Sequence, residues 1–214
     1  MQAVLFDLDG TFADTAPDLA RALNRLRAEQ GLAPVTAAAA RPHASSGARG
    51  LLEISFHLSP GQDGYEALKE RFLDFYEEGL CVETRLFDGI SDLLAQLEAR
   101  DLRWGIVTNK SKRFTEPLLR ELKVHDRAAC IVCGDTTARI KPHPDSLLHA
   151  AALLALAPAA CLYVGDDLRD VQAARAAGMG VVAAAWGYLG EGADPLAWGA
   201  DAVIAHPLDA LKAL

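Results

Sequence analysis

Val4-Leu5-Phe6-Asp7-Leu8-Asp9-Gly10-Thr11 sets the fold of this chain. An apolar run beginning at Ala3 ends in two carboxylates, a glycine and a threonine. A strand buried on both faces in a parallel sheet reads as such a continuous run, without alternation of polar and apolar side chains. Ending it in two unpartnered acids is costly, so Asp7 and Asp9 imply either partners or chemistry. Gly10 permits a tight turn that returns Asp9 over the strand's end.

Working outward, five further β-rich runs follow at 103–108, 129–133, 161–165, 180–184 and 202–205. Helical periodicity separates them. Ile90, Leu93, Leu94 and Leu97 form one apolar stripe, Phe114, Leu118 and Leu122 a second, and Leu147, Leu148, Ala151 and Leu154 a third. Gly178 is placed to close a helix over about 167–177, just before the next strand. The alternation predicts an α/β fold: an open parallel sheet with helices on both faces.

The stretch from about 14 to 80 breaks that rhythm, because it carries helical patterns and almost no strand signal. Thr15-Ala16-Pro17-Asp18 reads as a capping box with proline in the first turn, opening a helix with Leu19, Leu23 and Leu26 on one face. Tyr65, Leu68, Phe72, Phe75 and Tyr76 form another stripe, while residues 41–50 and 59–64 read as loops. A crossover needs only one helix, so the excess implies an inserted helical domain. The expected division is a core of 1–14 and 84–214 with an insert of 15–83, hinged near 14–17 and 83–87.

Composition sets the outer limits. With 214 residues, 51% of them hydrophobic, the chain can build a core without a metal or disulfide staple. A net charge of −8 argues against a nucleic-acid surface. Met1 leads into the first strand without a basic leader, and the longest apolar stretch, 150–165, is split by Pro158, so neither secretion nor a membrane span is expected. Cys130 and Cys133 make a lone C-x-x-C on a predicted strand, where positions i and i+3 face opposite ways. These two are read as buried structural thiols, and with Cys81 and Cys161 they suit a cytoplasmic protein.

In open parallel sheets, ligands bind beyond the carboxyl ends of the strands. Asp7 and Asp9 lie there after the first strand, Thr108, Asn109 and Lys110 after the second, and Gly165-Asp166-Asp167-Leu168-Arg169-Asp170 after the fourth. Lys141 joins them from Ile140-Lys141-Pro142-His143-Pro144. Carboxylates packed so closely raise each other's pKa unless a divalent cation sits among them, and hard oxygen donors favour magnesium over zinc. Lys110 is read as a solvated helix-start residue. The histidines, His143 and His206 among them, lack metal-ligand spacing.

The set resembles the haloacid dehalogenase superfamily over nearly the whole chain. Asp7-x-Asp9-Gly10-Thr11, Thr108-Asn109, Lys141 and Gly165-Asp166-x-x-x-Asp170 match its four motifs in order. The helical insert after the first motif is similar to the cap of the phosphoglycolate phosphatase-like subgroup. The resemblance implies a Rossmann-like parallel core with an inserted all-helical cap, and phosphatase chemistry. Asp7 would be the nucleophile that forms an aspartyl-phosphate, and Asp9 the acid and then the base. Asp7, the Asp9 carbonyl and Asp166 would hold Mg²⁺, with Asp170 and Asp167 acting on that shell from behind. Asp167 reads equally well as a helix-start acid with no catalytic duty. Thr108, Asn109 and Lys141 would bind the phosphoryl oxygens.

By the same resemblance the cap supplies substrate contacts. Ser46, Gly47 and Arg49 are expected at the open face, with Arg49 pairing to a substrate carboxylate. An equal alternative has Ser46 capping the next helix and Arg49 in solvent. Phosphoglycolate is the default substrate of the subgroup. Ser46-Gly47-Ala48-Arg49, Trp104-Gly105-Ile106-Val107-Thr108-Asn109, Gly165-Asp166-Asp167-Leu168-Arg169-Asp170 and Trp198-Gly199-Ala200-Asp201 look more like N-acetylmuramic acid 6-phosphate phosphatases of cell-wall recycling. Asp9 argues against a dehalogenase, which needs no second acid, whereas a phosphomutase or a non-catalytic binder stays open. The expected partner is a small phosphorylated, carboxylated molecule, with no nucleic acid or membrane, bound by a monomer or dimer.

Overall fold

A computed structural model describes residues 1–190 and 192–214. The chain runs β1 (Ala3–Phe6), β2 (Ala13–Asp14), α1 (Ala16–Glu29), α2 (Ala37–Ala40), α3 (Gly47–Phe56), α4 (Tyr65–Glu78), β3 (Arg85–Leu86) and α5 (Ile90–Glu98). It continues through β4 (Arg103–Val107), α6 (Lys112–Glu121), β5 (Cys130–Val132), α7 (Asp145–Leu153), β6 (Cys161–Gly165), α8 (Leu168–Ala177), β7 (Gly180–Ala184) and β8 (Ala202–Ile204). Six of the strands form one sheet in the order β5-β4-β1-β6-β7-β8, every pair parallel. Phe6 lies opposite Ile106 on one side and Val164 on the other. The strand order therefore reverses at β1, and the crevice beyond its C-terminal end is where such sheets bind ligands.

The continuous apolar runs have the expected cause. Along β1, Val4 and Phe6 enter one core cluster with Leu93, Trp104 and Ile106, whereas Ala3 and Leu5 enter a second with Leu147, Tyr163 and Val171. Both faces of the strand are thus buried. On α7, Leu148 points outward at 41% exposure, and Ala150 takes its expected place in the core. Gly178 ends α8 in the left-handed conformation. All four cysteines are unbridged, and Cys130, Cys133 and Cys161 are buried.

Helices α1 to α4 form a third apolar cluster of their own, built on Leu19, Leu23, Leu26, Leu51, Leu52, Phe72 and Tyr76. Phe114 and Tyr188 of the sheet region also join it. The two-stranded antiparallel ribbon of β2 and β3 connects this segment to the sheet. Among the described residues, no helix is long and apolar enough to cross a membrane.

Two local expectations are corrected. Thr15 occupies the N-cap of α1, but its side chain makes no capping bond. The Tyr188 hydroxyl accepts instead from Thr15 N at 2.7 Å and Ala16 N at 2.8 Å. Asp18, expected in the capping box, is fully buried and accepts from Val82 N, Glu83 N, Thr84 N and the Thr84 hydroxyl. A buried carboxylate needs several donors, and the returning chain supplies more of them than a helix's first turn. Residues 41–50 are also more ordered than the loop reading. They form a 3₁₀ segment, Arg41–Ser46, running into α3. Gly50 permits this, since a Cβ there would lie 2.8 Å from both the His43 carbonyl and the Ser46 Cβ.

Candidate active site

The end of β1 is held tightly against its neighbours. Asp7 N donates to the Val164 carbonyl at 2.9 Å, and Gly10 then turns the chain with φ of 87°. Any side chain at Gly10 would collide with Asp166, whose Oδ2 would be 2.2 Å from the added Cβ. The glycine therefore serves two needs: the left-handed turn and the approach of the fourth-motif acid.

Three carboxylates meet there. Asp7, Asp166 and Asp170 each direct an oxygen into a group whose members lie within 4.8 Å of one another. Asp166 is fully buried and accepts from the Thr11 hydroxyl at 2.8 Å and from Tyr188 N at 2.7 Å. Burial, with the charges of Asp7 and Asp170 adding to it, pushes the Asp166 carboxyl well above the usual range. Asp170 is pushed up to about 6, chiefly by burial, against the pull of Lys141. Such a group gains from a cation among its oxygens, and an all-oxygen donor set fits a hard divalent ion.

Lys141 supplies part of the compensating charge. Its ammonium lies 2.8 Å from Asp7 Oδ1, 2.7 Å from Asp170 Oδ1, 2.8 Å from the Tyr163 hydroxyl and 3.2 Å from the Val107 carbonyl. Burial alone would lower its pKa, but Asp170 and Asp7 raise it, keeping the group charged. Asn109 holds the Lys141 backbone with both ends of its amide, accepting from Lys141 N at 2.9 Å and donating to Lys141 O at 3.0 Å. Thr108 is buried, and its hydroxyl accepts from Lys110 N at 3.2 Å.

Asp9 stands apart from the three-carboxylate group. It accepts from the Thr15 hydroxyl at 2.5 Å, and the Lys110 ammonium lies 3.0 and 3.3 Å from its two oxygens. Lys110 was expected in solvent, yet its side chain is only 8% exposed. Its ammonium lies against the Tyr76 ring of α4, and a buried ammonium needs a counter-ion. The structure thus adds Lys110 and Thr15 to the residues around Asp9.

Asp167 is the N-cap of α8. Its carboxylate accepts from Arg169 N and holds the Arg169 guanidinium at 2.8 and 2.7 Å. Asp170 completes a capping box by accepting from Asp167 N at 3.1 Å. The helical segment reaches the acids one position earlier than expected. The Ser45 hydroxyl is 3.4 Å from Asp166 Oδ2, and the Ser45 carbonyl accepts from Arg169 at 3.0 Å. Ser46 is at the N-cap of α3 without a side-chain capping bond, Gly47 begins that helix, and Arg49 is exposed.

Tyr163 and Tyr188 were missed from the sequence. A tyrosine in a wholly buried strand must place its hydroxyl somewhere, so Tyr163 carried a usable signal. Tyr188 carried none, because its partners Asp14, Thr15 and Asp166 are remote in the chain. Its hydroxyl donates to Asp14 Oδ1 at 3.0 Å, and Arg41, paired with Asp14 at 2.9 Å, lies over its ring at 5.0 Å.

Comparisons with known proteins place the chain in a family. The chain is 42% identical over 214 residues to an N-acetylmuramic acid 6-phosphate phosphatase of Pseudomonas putida, covering 100% of this chain and 96% of that one. It is 46% identical over 207 residues to a phosphoglycolate phosphatase of Xanthomonas campestris, covering 96% and 93%. A crystal structure of a predicted phosphoglycolate phosphatase from Haemophilus somnus superposes with a TM-score of 0.88 at 25% identity, covering 100% of this chain and 97% of the other. The family model described as haloacid dehalogenase-like hydrolase matches residues 4–184, which include the sheet edge and the helical insert, and the chain belongs to that family.

Proposed function

We propose that this hydrolase is a Mg²⁺-dependent phosphomonoesterase that works through an aspartyl-phosphate on a small carboxylated phosphate ester in the cytoplasm. The observation that carries the proposal is the pairing of Asp7 with Lys141 inside a group of three carboxylates. A nucleophilic carboxylate, a fixed cation beside it and an acidic pocket for a second cation are what phosphoryl transfer requires.

An Asp7 oxygen attacks phosphorus, the bond from phosphorus to the ester oxygen breaks, and Asp9 protonates the departing alkoxide. Water then attacks the aspartyl-phosphate, Asp9 takes its proton, and phosphate leaves with Asp7 restored. To act, Asp9 must turn from Lys110 and Thr15 toward the ester oxygen. Thr108, the Asn109 backbone and Lys141 bind the phosphoryl oxygens. Asp7, the Asp9 carbonyl and Asp166 would hold Mg²⁺, with Asp170 beside them. When bound, the ion neutralises carboxylate and phosphoryl charge. Asp167 fixes the start of α8 and orients Arg169.

The division of labour is a core of 1–14 and 84–214 and a cap of 15–83. Ser46, Gly47 and Arg49 remain the cap residues offered for specificity, and Ser45 and Arg169 join them. Phosphoglycolate is the first substrate to test. N-acetylmuramic acid 6-phosphate is the second, because a relative so named aligns over all 214 residues. The deciding experiment measures phosphate release from both esters with and without Mg²⁺. Release from one of them only with the metal supports the reading. No release from either, or equal rates after chelation, overturns it. At about 100-fold excess over Kd, Mg²⁺ should also stabilise the fold by about 2.7 kcal/mol, an increment absent in Asp166→Asn.

A further inference from the structure

Tyr76 of α4 carries a buried hydroxyl that makes no well-aligned hydrogen bond among the described residues, although the Lys110 ammonium lies within its reach. The residue is 1% exposed, and burial pushes its phenol up to about 12. Its ring is fixed between Phe72, stacked at 6.5 Å, and Phe114, tilted at 5.5 Å. The Lys110 ammonium sits 4.5 Å from the ring centroid. A buried orphan hydroxyl destabilises a fold unless some other state of the molecule uses it.

Asp9 supplies that other state. The following rests on the phosphatase reading, in which Asp9 leaves Lys110 to protonate the ester oxygen. Its departure strips a buried ammonium of its carboxylate, which is among the costlier changes a protein interior can make. The ring face of Tyr76 is already in place to stabilise that cation, and its oxygen is an acceptor within reach of the same ammonium. Lys110 belongs to the sheet edge and Tyr76 to the helical segment, so this second partner exists only when the cap is seated.

We propose that Tyr76 is a positioning residue that takes over the Lys110 ammonium when Asp9 turns to its substrate. Cap seating thereby releases the general acid. Tyr76 touches no reacting atom and acts only through Lys110.

Tyr76→Phe tests this directly. It removes the hydroxyl and keeps the ring, and loss of an orphan hydroxyl should leave thermal stability unchanged or raised. An alkyl phosphate needs its leaving oxygen protonated, whereas p-nitrophenyl phosphate does not. For Tyr76→Phe, the single-turnover rate of phosphoryl transfer from the alkyl ester, which precedes the work of Asp9 as base, should fall about threefold to tenfold, the worth of one hydrogen bond, with that from p-nitrophenyl phosphate changed less than about twofold. Tyr76→Leu, which also loses the ring, should widen that gap. An unchanged ratio of the two rates in Tyr76→Phe overturns the proposal. If the unaltered protein hydrolyses neither ester, the phosphatase reading has failed instead.

Discussion

Two buried lysines flank the Asp-x-Asp pair, one deep in the sheet edge and one at the seam with the helical insert. Lys141 meets Asp7, Asp170, Tyr163 and Val107, all from the parallel core. Lys110 meets Asp9 on the core side and the Tyr76 ring on the cap side. The second has one partner on the sheet edge and one on the helical insert. Core charge alone thus surrounds the proposed nucleophile, whereas contacts from both segments surround the proposed acid. In the proposed mechanism, pre-organisation suits Asp7, which is to be aimed at phosphorus, whereas Asp9 is to move.

The comparison can be broken first at Asp7. Asp7→Asn should lower kcat by at least about a thousandfold with the far-ultraviolet circular dichroism unchanged, since the nucleophile is lost and the fold is not. Full turnover in that variant would remove the core half of the contrast. Lys141→Met comes next, because it leaves the buried Asp170 and the partly buried Asp7 without their cation. Urea unfolding should show a loss of about 3–5 kcal/mol. A loss under about 1 kcal/mol would mean that the carboxylates do not depend on it.

Smaller effects belong to the seam and its rim. Tyr188→Phe removes the acceptor for Thr15 N and Ala16 N, and should cost about 1–2 kcal/mol in the same titration. It leaves the bond from the Thr15 hydroxyl to Asp9 in place, so any shift in kcat would locate coupling at the start of α1. Arg113 of α6 faces Glu70, Asp74 and Glu77 of α4, at 3.7, 3.1 and 2.6 Å. Its side chain is 39% exposed. Arg113→Ala should cost about 0.5 kcal/mol or less, and the difference should vanish in molar salt. A larger, salt-resistant loss would make the rim part of the clamp.

The parallel sheet, its strand ends and the helical insertion were legible in the chain itself. Strands buried on both faces must be continuously apolar, so Val4–Leu5–Phe6 announces its environment, and acids placed after such strands collect at one edge by topology. Asp7, Asp9, Thr108, Asn109, Lys141 and Asp166 could be named from that logic together with the family motifs. What the sequence alone left open are the partnerships between remote residues. Thr15 and Asp18 satisfy a local capping pattern, yet Tyr188 caps the helix and the backbone at 82–84 claims Asp18. A side chain's hydrogen bonds go to whichever donors or acceptors the packed fold brings nearest, and that is decided by tertiary distance. Lys110 shows the same limit, since a lysine at a helix start is solvated by default and becomes a buried counter-ion only because α4 folds across it.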